Sequence, residues 1–196
     1  MPGDIEFLYD FGSPNAYLVH RALAGHSEVT LRYVPVLLGG IFKATGNQSP
    51  MQAYGHIAAK RDYDMLEIRR FMARYDINGF RMNPNFPVNT LLLMRGAVAA
   101  EALGCAPAYI EAMMTGMWEQ ELALGDAEVW AHALTDAGLP AAELAAGAAD
   151  PATKAALAAN TERAVLRGVF GIPSFLVGDE LYFGKDRLRD VMEAAQ

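Results

Sequence analysis

The distribution of strand and helix signals along the chain is the strongest constraint on its fold. Residues 5–9 are short, apolar and rich in aromatic side chains, which is typical of a buried strand. Ser13 is a favourable helix N-cap and Pro14 suits a first helical position, so a helix is predicted from there to about Gly25. Residues 29–34 alternate apolar and polar side chains and are predicted as a second strand. The order β-α-β indicates a parallel pair with a right-handed crossover.

The end of the chain returns to strand signals. Residues 174–177 are apolar and follow a proline, and Gly178-Asp179 is a two-residue hairpin signal before a return strand at residues 181–183. A last helix is predicted after Gly184, because Leu188, Val191 and Met192 share one helical face.

The middle of the chain reads as helices. Amphipathic or alanine-rich segments are predicted as helices at residues 60–75, 90–103 and 106–124, and Asp126 is predicted to cap a further helix that stops at Gly138. Residues 141–160 contain 11 alanines and are predicted as short surface helices. We therefore divide the chain into a discontinuous α/β domain, residues 1–42 and 161–196, and an all-helical insertion, residues 43–160.

Composition excludes several classes of protein. Hydrophobic residues make up 53% of the 196 positions, which is enough for a sizeable core and argues against disorder. A net charge of −7 argues against nucleic acid and anionic membranes as partners. A single cysteine, Cys105, excludes an intrachain disulfide, a CxxC redox pair and a multi-cysteine zinc site.

The remaining motifs exclude other chemistries and suggest a location. The four histidines lack metal-pair spacing, so no metal site is predicted, and no GxSxG nucleophile elbow occurs. No apolar stretch approaches the roughly 20 residues of a membrane helix, and the first residues do not have the pattern of a signal peptide. We expect a cytoplasmic protein.

Three places could carry chemistry. Ser13 lies where strand one meets a helix N-terminus, a position that favours anions, although a plain N-cap needs no further role. Pro173 precedes a strand and would expose the backbone of Ile172 if its peptide bond were cis; an ordinary turn is the alternative. Lys185 and Asp186 begin the last helix, where they could receive an amino-acid head group or merely complement the helix dipole.

Six segments together resemble one family. The motif near the start of the chain is residues 9–18 (YDFGSPNAYL). The motif near its end consists of two segments, residues 168–175 (GVFGIPSF) and residues 183–188 (FGKDRL). Looser matches occur at residues 46–50, 60–63 and 86–90. This pattern resembles the 2-hydroxychromene-2-carboxylate isomerases, which are grouped with the kappa-class glutathione transferases. The resemblance implies an α/β thioredoxin-like fold with a large all-helical insertion of the DsbA type.

The resemblance also implies a glutathione site. The residue corresponding to Ser13 hydrogen-bonds the glutathione sulfur, and the one corresponding to Ile172 pairs its backbone with glutathione beside Pro173. The remaining contacts fall to four positions: Lys185 and Asp186 for the γ-glutamyl head, and Asn47 and Lys60 for glutathione or the aromatic substrate. His56 is an alternative to Lys60.

The implied activity is a glutathione-dependent cis-trans isomerisation in aromatic catabolism. A 2-hydroxychromene-2-carboxylate would become a trans-o-hydroxybenzylidenepyruvate by reversible thiolate addition. The resemblance also implies a homodimer acting on a small aromatic carboxylate. Two alternatives stay open: a kappa-like transferase that conjugates glutathione to an electrophile, and a silent thioredoxin-fold binding module. A disulfide oxidoreductase is disfavoured because residues 13–16 (SPNA) stand where its two cysteines belong.

Overall fold

The computed structural model describes residues 4–24 and 31–196. Over these residues the chain forms four β-strands, ten α-helices and one short 3₁₀ turn. The strands are β1 (Ile5–Tyr9), β2 (Leu31–Pro35), β3 (Ser174–Val177) and β4 (Glu180–Phe183). The helices are α1 (Pro14–Leu23), α2 (Leu38–Thr45), α3 (Pro50–Tyr54), α4 (Ala58–Arg74), α5 (Leu91–Ala102), α6 (Ala106–Trp118), α7 (Ala127–Asp136), α8 (Ala141–Ala149), α9 (Pro151–Leu166) and α10 (Leu188–Ala194), and the 3₁₀ turn is Lys185–Arg187.

The strands form one mixed sheet in the order β2-β1-β3-β4. Strands β1 and β2 are parallel, while β3 runs antiparallel to both β1 and β4, which confirms the predicted parallel pair and hairpin. Leu8 at the end of β1 pairs with Ser174 at the start of β3. The loop after β1 and the loop before β3 therefore meet at one edge of the sheet, and this juxtaposition brings Ser13 to Pro173.

Helices cover the sheet and share its core. Buried side chains from β1 to α10 form one continuous apolar cluster that includes the insertion helices α5 and α6. Phe7 and Phe175 stack at the centre of the sheet with ring centroids 5.3 Å apart. Helix α9 packs on both β2 and α2 and runs across residue 160, the predicted limit of the insertion. The exact domain limits stay a prediction.

One predicted helix end in the middle of the chain is wrong. Helix α6 ends at Trp118 rather than at Leu124. The buried amide of Asn83 donates to the carbonyls of Met117 and Leu122, and Glu121 adopts a left-handed φ of 57°, so tertiary hydrogen bonds stop the helix early. Helical propensity alone does not report such a partner.

The alanine-rich stretch forms helices that are mostly exposed, as predicted, but the second of them is not short. Helix α9 has 16 residues, and Leu144, Ala148 and Leu157 are buried. The small side chains let α8 approach α5 closely: a Cβ placed on Gly147 would lie 2.8 Å from that of Ala99. Alanine thus serves close helix packing here as well as helix propensity. Gly25 and the start of the predicted second strand, residues 29 and 30, lie outside the described residues.

His20 of α1 belongs to a polar cluster, and its side chain is only 14% exposed. Its Nδ1 lies 2.8 Å from the Tyr33 hydroxyl and its Nε2 lies 3.0 Å from the Glu111 carboxylate. Arg21 also pairs with Glu111, at 2.7 Å. This polar cluster joins α1 and β2 of the α/β part to α6 of the insertion.

The same cluster makes stability depend on acid pH. The hydrogen bond from His20, opposed by burial and assisted by Arg21, lowers the pKa of Glu111 to about 2. A depressed carboxylate pKa contributes stability above its unfolded value of about 4.3, and that stability is lost as pH falls toward 2. We expect Glu111→Gln to reduce the loss of thermal stability between pH 4.5 and 2, measured by circular dichroism. The exposed Glu193→Gln is the control, and an unchanged pH profile for Glu111→Gln would contradict this role.

Candidate active site

Ser13 lies between a helix N-terminus and the loop before β3. Its hydroxyl accepts from the Ala16 N–H at 3.2 Å as the N-cap of α1, and donates to the Ile172 carbonyl at 3.2 Å. The residue is only 4% exposed. The expected N-cap is therefore present, and the hydroxyl also reaches across the sheet edge to the second predicted site segment. A partly enclosed hydroxyl at a helix N-terminus can donate to an anion that arrives there.

The Ile172–Pro173 peptide bond is cis. Ile172 is 7% exposed, and within the part of the chain that the structure describes its N–H makes no backbone hydrogen bond. The ring of Phe183 lies against Gly171, where an added Cβ would stand 2.8 Å from a ring carbon. This segment therefore places a backbone donor beside Ser13, and an extended peptide ligand could pair with it.

Asp186 is presented to solvent by a buried lysine. The Lys185 ammonium donates to both Asp186 carboxylate oxygens, at 2.8 and 3.0 Å, and lies 5.5 Å from the centroid of the Phe71 ring. The Lys185 side chain is 6% exposed, whereas that of Asp186 is 56% exposed. A hydrogen bond from the Gly184 N–H to the Pro173 carbonyl, at 2.9 Å, fixes this turn to the proline loop.

The space beside Asp186 is a polar cavity of about 390 Å³. Arg74, Tyr75, Arg187 and Asp190 also line it. Charged side chains of both signs suit a zwitterionic head group better than an apolar one. The turn and the cavity together fit the amino-acid head that Lys185 and Asp186 are predicted to hold.

Among the other predicted contacts, a hydrogen bond joins Asn47 to the proline loop, whereas no such bond is seen for Lys60 or His56 in the described residues. The amide of Asn47, just after α2, donates to the Phe170 carbonyl at 2.8 Å and so borders the proline loop. Lys60 is exposed in the first turn of α4, with its ammonium 3.9 Å from the centroid of the Tyr54 ring. Lys60 and His56 make no hydrogen bond or ion pair to Ser13 or Asn47 in the described residues. Their roles stay predictions.

Asp10 supports the Ser13 loop and was missed from the sequence. It is 1% exposed, and its carboxylate accepts from the N–H groups of Gly12 and Leu38, both at 2.8 Å. Burial raises the pKa of Asp10, while these two donors and the Thr90 hydroxyl oppose the shift. The available signal was an aspartate at a strand end two residues before glycine, which is typical of an Asx turn.

A second support comes from the insertion. The indole N–H of Trp118, at the end of α6, donates to the Phe11 carbonyl at 2.9 Å, and its side chain is fully buried. Asp10 and Trp118 therefore both fix the loop that carries Ser13, Asp10 through backbone N–H groups and Trp118 through the Phe11 carbonyl.

In residues 4–24 and 31–196 no group of three or more His, Cys, Asp or Glu side chains is arranged to hold a metal ion. Over the same residues, every helix is too short or too polar to cross a membrane.

This combination of sheet, insertion and cis-proline loop defines a class of protein. The model of the DsbA-like thioredoxin domain matches residues 4–196, and the chain belongs to that family. The predicted thioredoxin-like fold with a helical insertion is confirmed.

Within this class the chain is similar to isomerases over nearly its whole length. It is 27% identical to a 2-hydroxychromene-2-carboxylate isomerase of Sphingobium xenophagum, covering 99% of this chain and 98% of the relative. It is also 27% identical to an enzyme of that name from Pseudomonas sp. strain C18, covering 94% and 86%. A solved 2-hydroxychromene-2-carboxylate isomerase superposes with a TM-score of 0.82 at 26% identity, covering 97% of this chain and 93% of the other. The predicted resemblance is confirmed.

Proposed function

We propose that this protein is a glutathione-dependent cis-trans isomerase of 2-hydroxychromene-2-carboxylate-type substrates in aromatic catabolism. The isomerase class is supported by the names of its relatives. Glutathione is supported by one observation above the others: the Ser13 hydroxyl lies at the N-terminus of α1 and within hydrogen-bond distance of the Ile172 carbonyl. The Ser13 hydroxyl is thus a donor at a helix N-terminus, beside the backbone of Ile172.

The site residues fit the parts of glutathione one by one. The backbone of Ile172 beside Pro173 suits the extended cysteinyl unit, because an extended peptide pairs through its main chain. The exposed carboxylate of Asp186 suits the ammonium of the γ-glutamyl head. Asn47 borders the proline loop and is available to the remainder of the tripeptide.

Ser13 acts on the charge of the sulfur rather than as a nucleophile. Free thiols titrate near about 8.5 and only the thiolate attacks effectively. A hydroxyl donor at a helix N-terminus favours the thiolate, because both the hydrogen bond and the helix dipole stabilise negative charge. The hydroxyl proton turns from the Ile172 carbonyl to the sulfur when the ligand is bound. No histidine base is required for this step.

Glutathione held by Ser13, Ile172 and Asp186 would supply a thiolate for reversible addition to the electron-poor alkene of the ring-opened substrate; the ketone conjugated to that alkene would take up the electron pair, and the bond could rotate before the same thiolate leaves. The protein stabilises the negative charge of the sulfur before the thiolate adds and after it leaves. Ser13 does so without being consumed, and it has no redox chemistry of its own. The same site would serve a transferase if the glutathione adduct were released from the protein before the thiolate was eliminated from it.

The test is turnover of 2-hydroxychromene-2-carboxylate with and without glutathione, beside conjugation of glutathione to an aryl halide. The expected result is isomerisation only with glutathione and no conjugation. Conjugation without isomerisation would favour the transferase. The absence of both activities and of glutathione binding by calorimetry would favour the silent binding module.

Asp186→Asn tests the head-group assignment. It removes the carboxylate charge while keeping the shape, so the Kd for glutathione measured by calorimetry should rise about tenfold. The control is Asp179→Asn in the exposed β3–β4 turn, which should leave the Kd unchanged. Because Asp186→Asn leaves the buried Lys185 ammonium with a weaker partner, thermal unfolding of the variant is measured by circular dichroism alongside, to separate folding from binding. An unchanged Kd in folded Asp186→Asn would contradict the assignment.

A further inference from the structure

A second cavity, of about 560 Å³, lies between α2, α5 and α9, outside the residues assigned to glutathione. Its walls are largely apolar and include Leu37, Leu91, Leu157 and Val165. Sites for small organic ligands usually enclose about 300–1,000 Å³ and combine apolar walls with a few polar groups. The volume and lining of this cavity meet that description.

One charged residue that lines the cavity, Arg95 of α5, has a buried atom without a partner. Its Nε is buried and has no hydrogen-bond partner, and no ion pair or hydrogen bond joins its guanidinium to any residue that the structure describes. A buried donor without a partner is costly, and more so when it is charged, so such groups in native proteins normally have a partner. The guanidinium presents parallel N–H groups that match a carboxylate.

The other charges around the cavity leave it with an excess of one positive charge. Lys154 and Glu162, both exposed on α9, also line it. Glu162 forms no ion pair with Arg95 within the described part of the chain, so it does not supply the missing partner. An anionic ligand is therefore favoured over a neutral or cationic one.

The cavity adjoins the candidate active site through its own walls. Leu91 follows Thr90, whose methyl group would lie 3.1 Å from a Cβ placed on Gly12. On the opposite wall, the Leu37 N–H donates to the Thr161 hydroxyl at 3.0 Å, and Thr161 also lines the cavity. Thr90, next to Leu91, and Leu38, next to Leu37, thus contact the loop that carries Ser13, at Gly12 and Asp10.

We propose that this cavity binds the ring system of a small aromatic carboxylate and that Arg95 holds its carboxylate group. As the binding place of the substrate, this inference rests on the proposed function. As a binding site it stands on the cavity and the unpartnered guanidinium alone. Arg95, rather than Lys60, is then the residue that selects a carboxylate.

Calorimetry with 2-naphthoate, a bicyclic aromatic carboxylate, tests the site without glutathione or turnover. Arg95→Met should raise the Kd for 2-naphthoate about ten- to a hundredfold. The exposed Arg69→Met, which makes the same change of charge on α4, should leave it unchanged. The neutral 2-naphthamide should bind wild type weakly and should be insensitive to Arg95→Met.

Two further measurements accompany the binding test, one of folding and one of the space that the rings occupy. Arg95→Met should keep or raise thermal stability, because it removes a buried donor that has no partner. Ala158→Trp, at an exposed position on the cavity lining, should weaken both naphthoate and naphthamide by occupying the space of the rings. Equal affinity for 2-naphthoate in wild type and Arg95→Met, or no binding to wild type, would overturn the proposal. A dimer that Ala158→Trp dissociates, with no ligand bound, would show that a second copy covers the cavity.

The two proposals fail separately. If the protein isomerises 2-hydroxychromene-2-carboxylate, Arg95→Met should raise KM about tenfold with little change in kcat, and an unchanged KM would sink only the cavity assignment. If the protein does not isomerise that substrate, only the proposed function is contradicted. Binding of 2-naphthoate that depends on Arg95 would still support the cavity as a binding site.

Discussion

Ser13→Gly is expected to lower kcat/KM for glutathione-dependent isomerisation about a hundredfold, because it removes one hydrogen bond to a developing charge. The pH at which half of the bound glutathione is thiolate should rise by about one to two pH units. Thiolate absorbance in the ultraviolet, measured against pH with glutathione bound, reports that midpoint directly. A change in folding alone would not move it.

Glycine is the informative substitution because it separates the two roles of Ser13. Ser13 caps α1 as well as reaching Ile172. Glycine at an N-cap costs only a few tenths of a kcal/mol, whereas alanine costs about 1 kcal/mol. Asp126→Ala removes the N-cap of α7, away from the site, and should lower stability without altering the thiolate midpoint. Wild-type activity and an unshifted midpoint in Ser13→Gly would refute the mechanism.

Gly96→Ala is expected to lower the free energy of unfolding by about 3 kcal/mol, the largest stability effect that we foresee for a single methyl group. A Cβ at this position of α5 would meet the Tyr109 hydroxyl and would lie 2.9 Å from Trp130. The Tyr109 hydroxyl donates to the Leu93 carbonyl at 2.8 Å and accepts from the Trp130 indole at 3.0 Å. All of these groups are buried, so displacing the ring breaks two buried hydrogen bonds.

The matched control is Gly39→Ala, the same change in another helix. Gly39 is exposed in α2, and an added Cβ there meets nothing within 4 Å. This variant should gain about 0.5 kcal/mol, since alanine restricts the unfolded chain and favours helix. Urea unfolding of both variants gives the comparison. Similar stabilities for the two would show that the core can make room near Tyr109.

The sequence predicted the site segments because each has a local signature. Ser13 before Pro14 predicts a helix start, and residues 171–173 predict a turn into a strand, whatever lies around them. The meeting of these two segments follows from the antiparallel pairing of β1 with β3, a long-range contact that the local patterns did not predict. The family resemblance then supplied the roles, which backbone patterns do not contain.

The sequence did not predict the supports of the site, because they depend on long-range contacts. Asp10 supports the loop through a hydrogen bond from the Leu38 N–H, 28 residues away in the sequence. Trp118 supports it through a hydrogen bond to the Phe11 carbonyl, 107 residues away in the sequence. The early end of α6 likewise depends on the distant amide of Asn83. None of these contacts leaves a periodic or spacing signal.

By itself, the sequence determined the kinds of elements, the α/β ends around a helical middle, and the candidate residues Ser13, Ile172 and Asp186. These follow from local propensity, since capping, alternation and turn residues act over a few positions. Only the tertiary structure decided that Lys185 is buried beneath Asp186 and that Arg95 faces an apolar cavity without a partner. The desolvation and pairing of a charge depend on groups distant in the chain, so they arise only when the chain is folded.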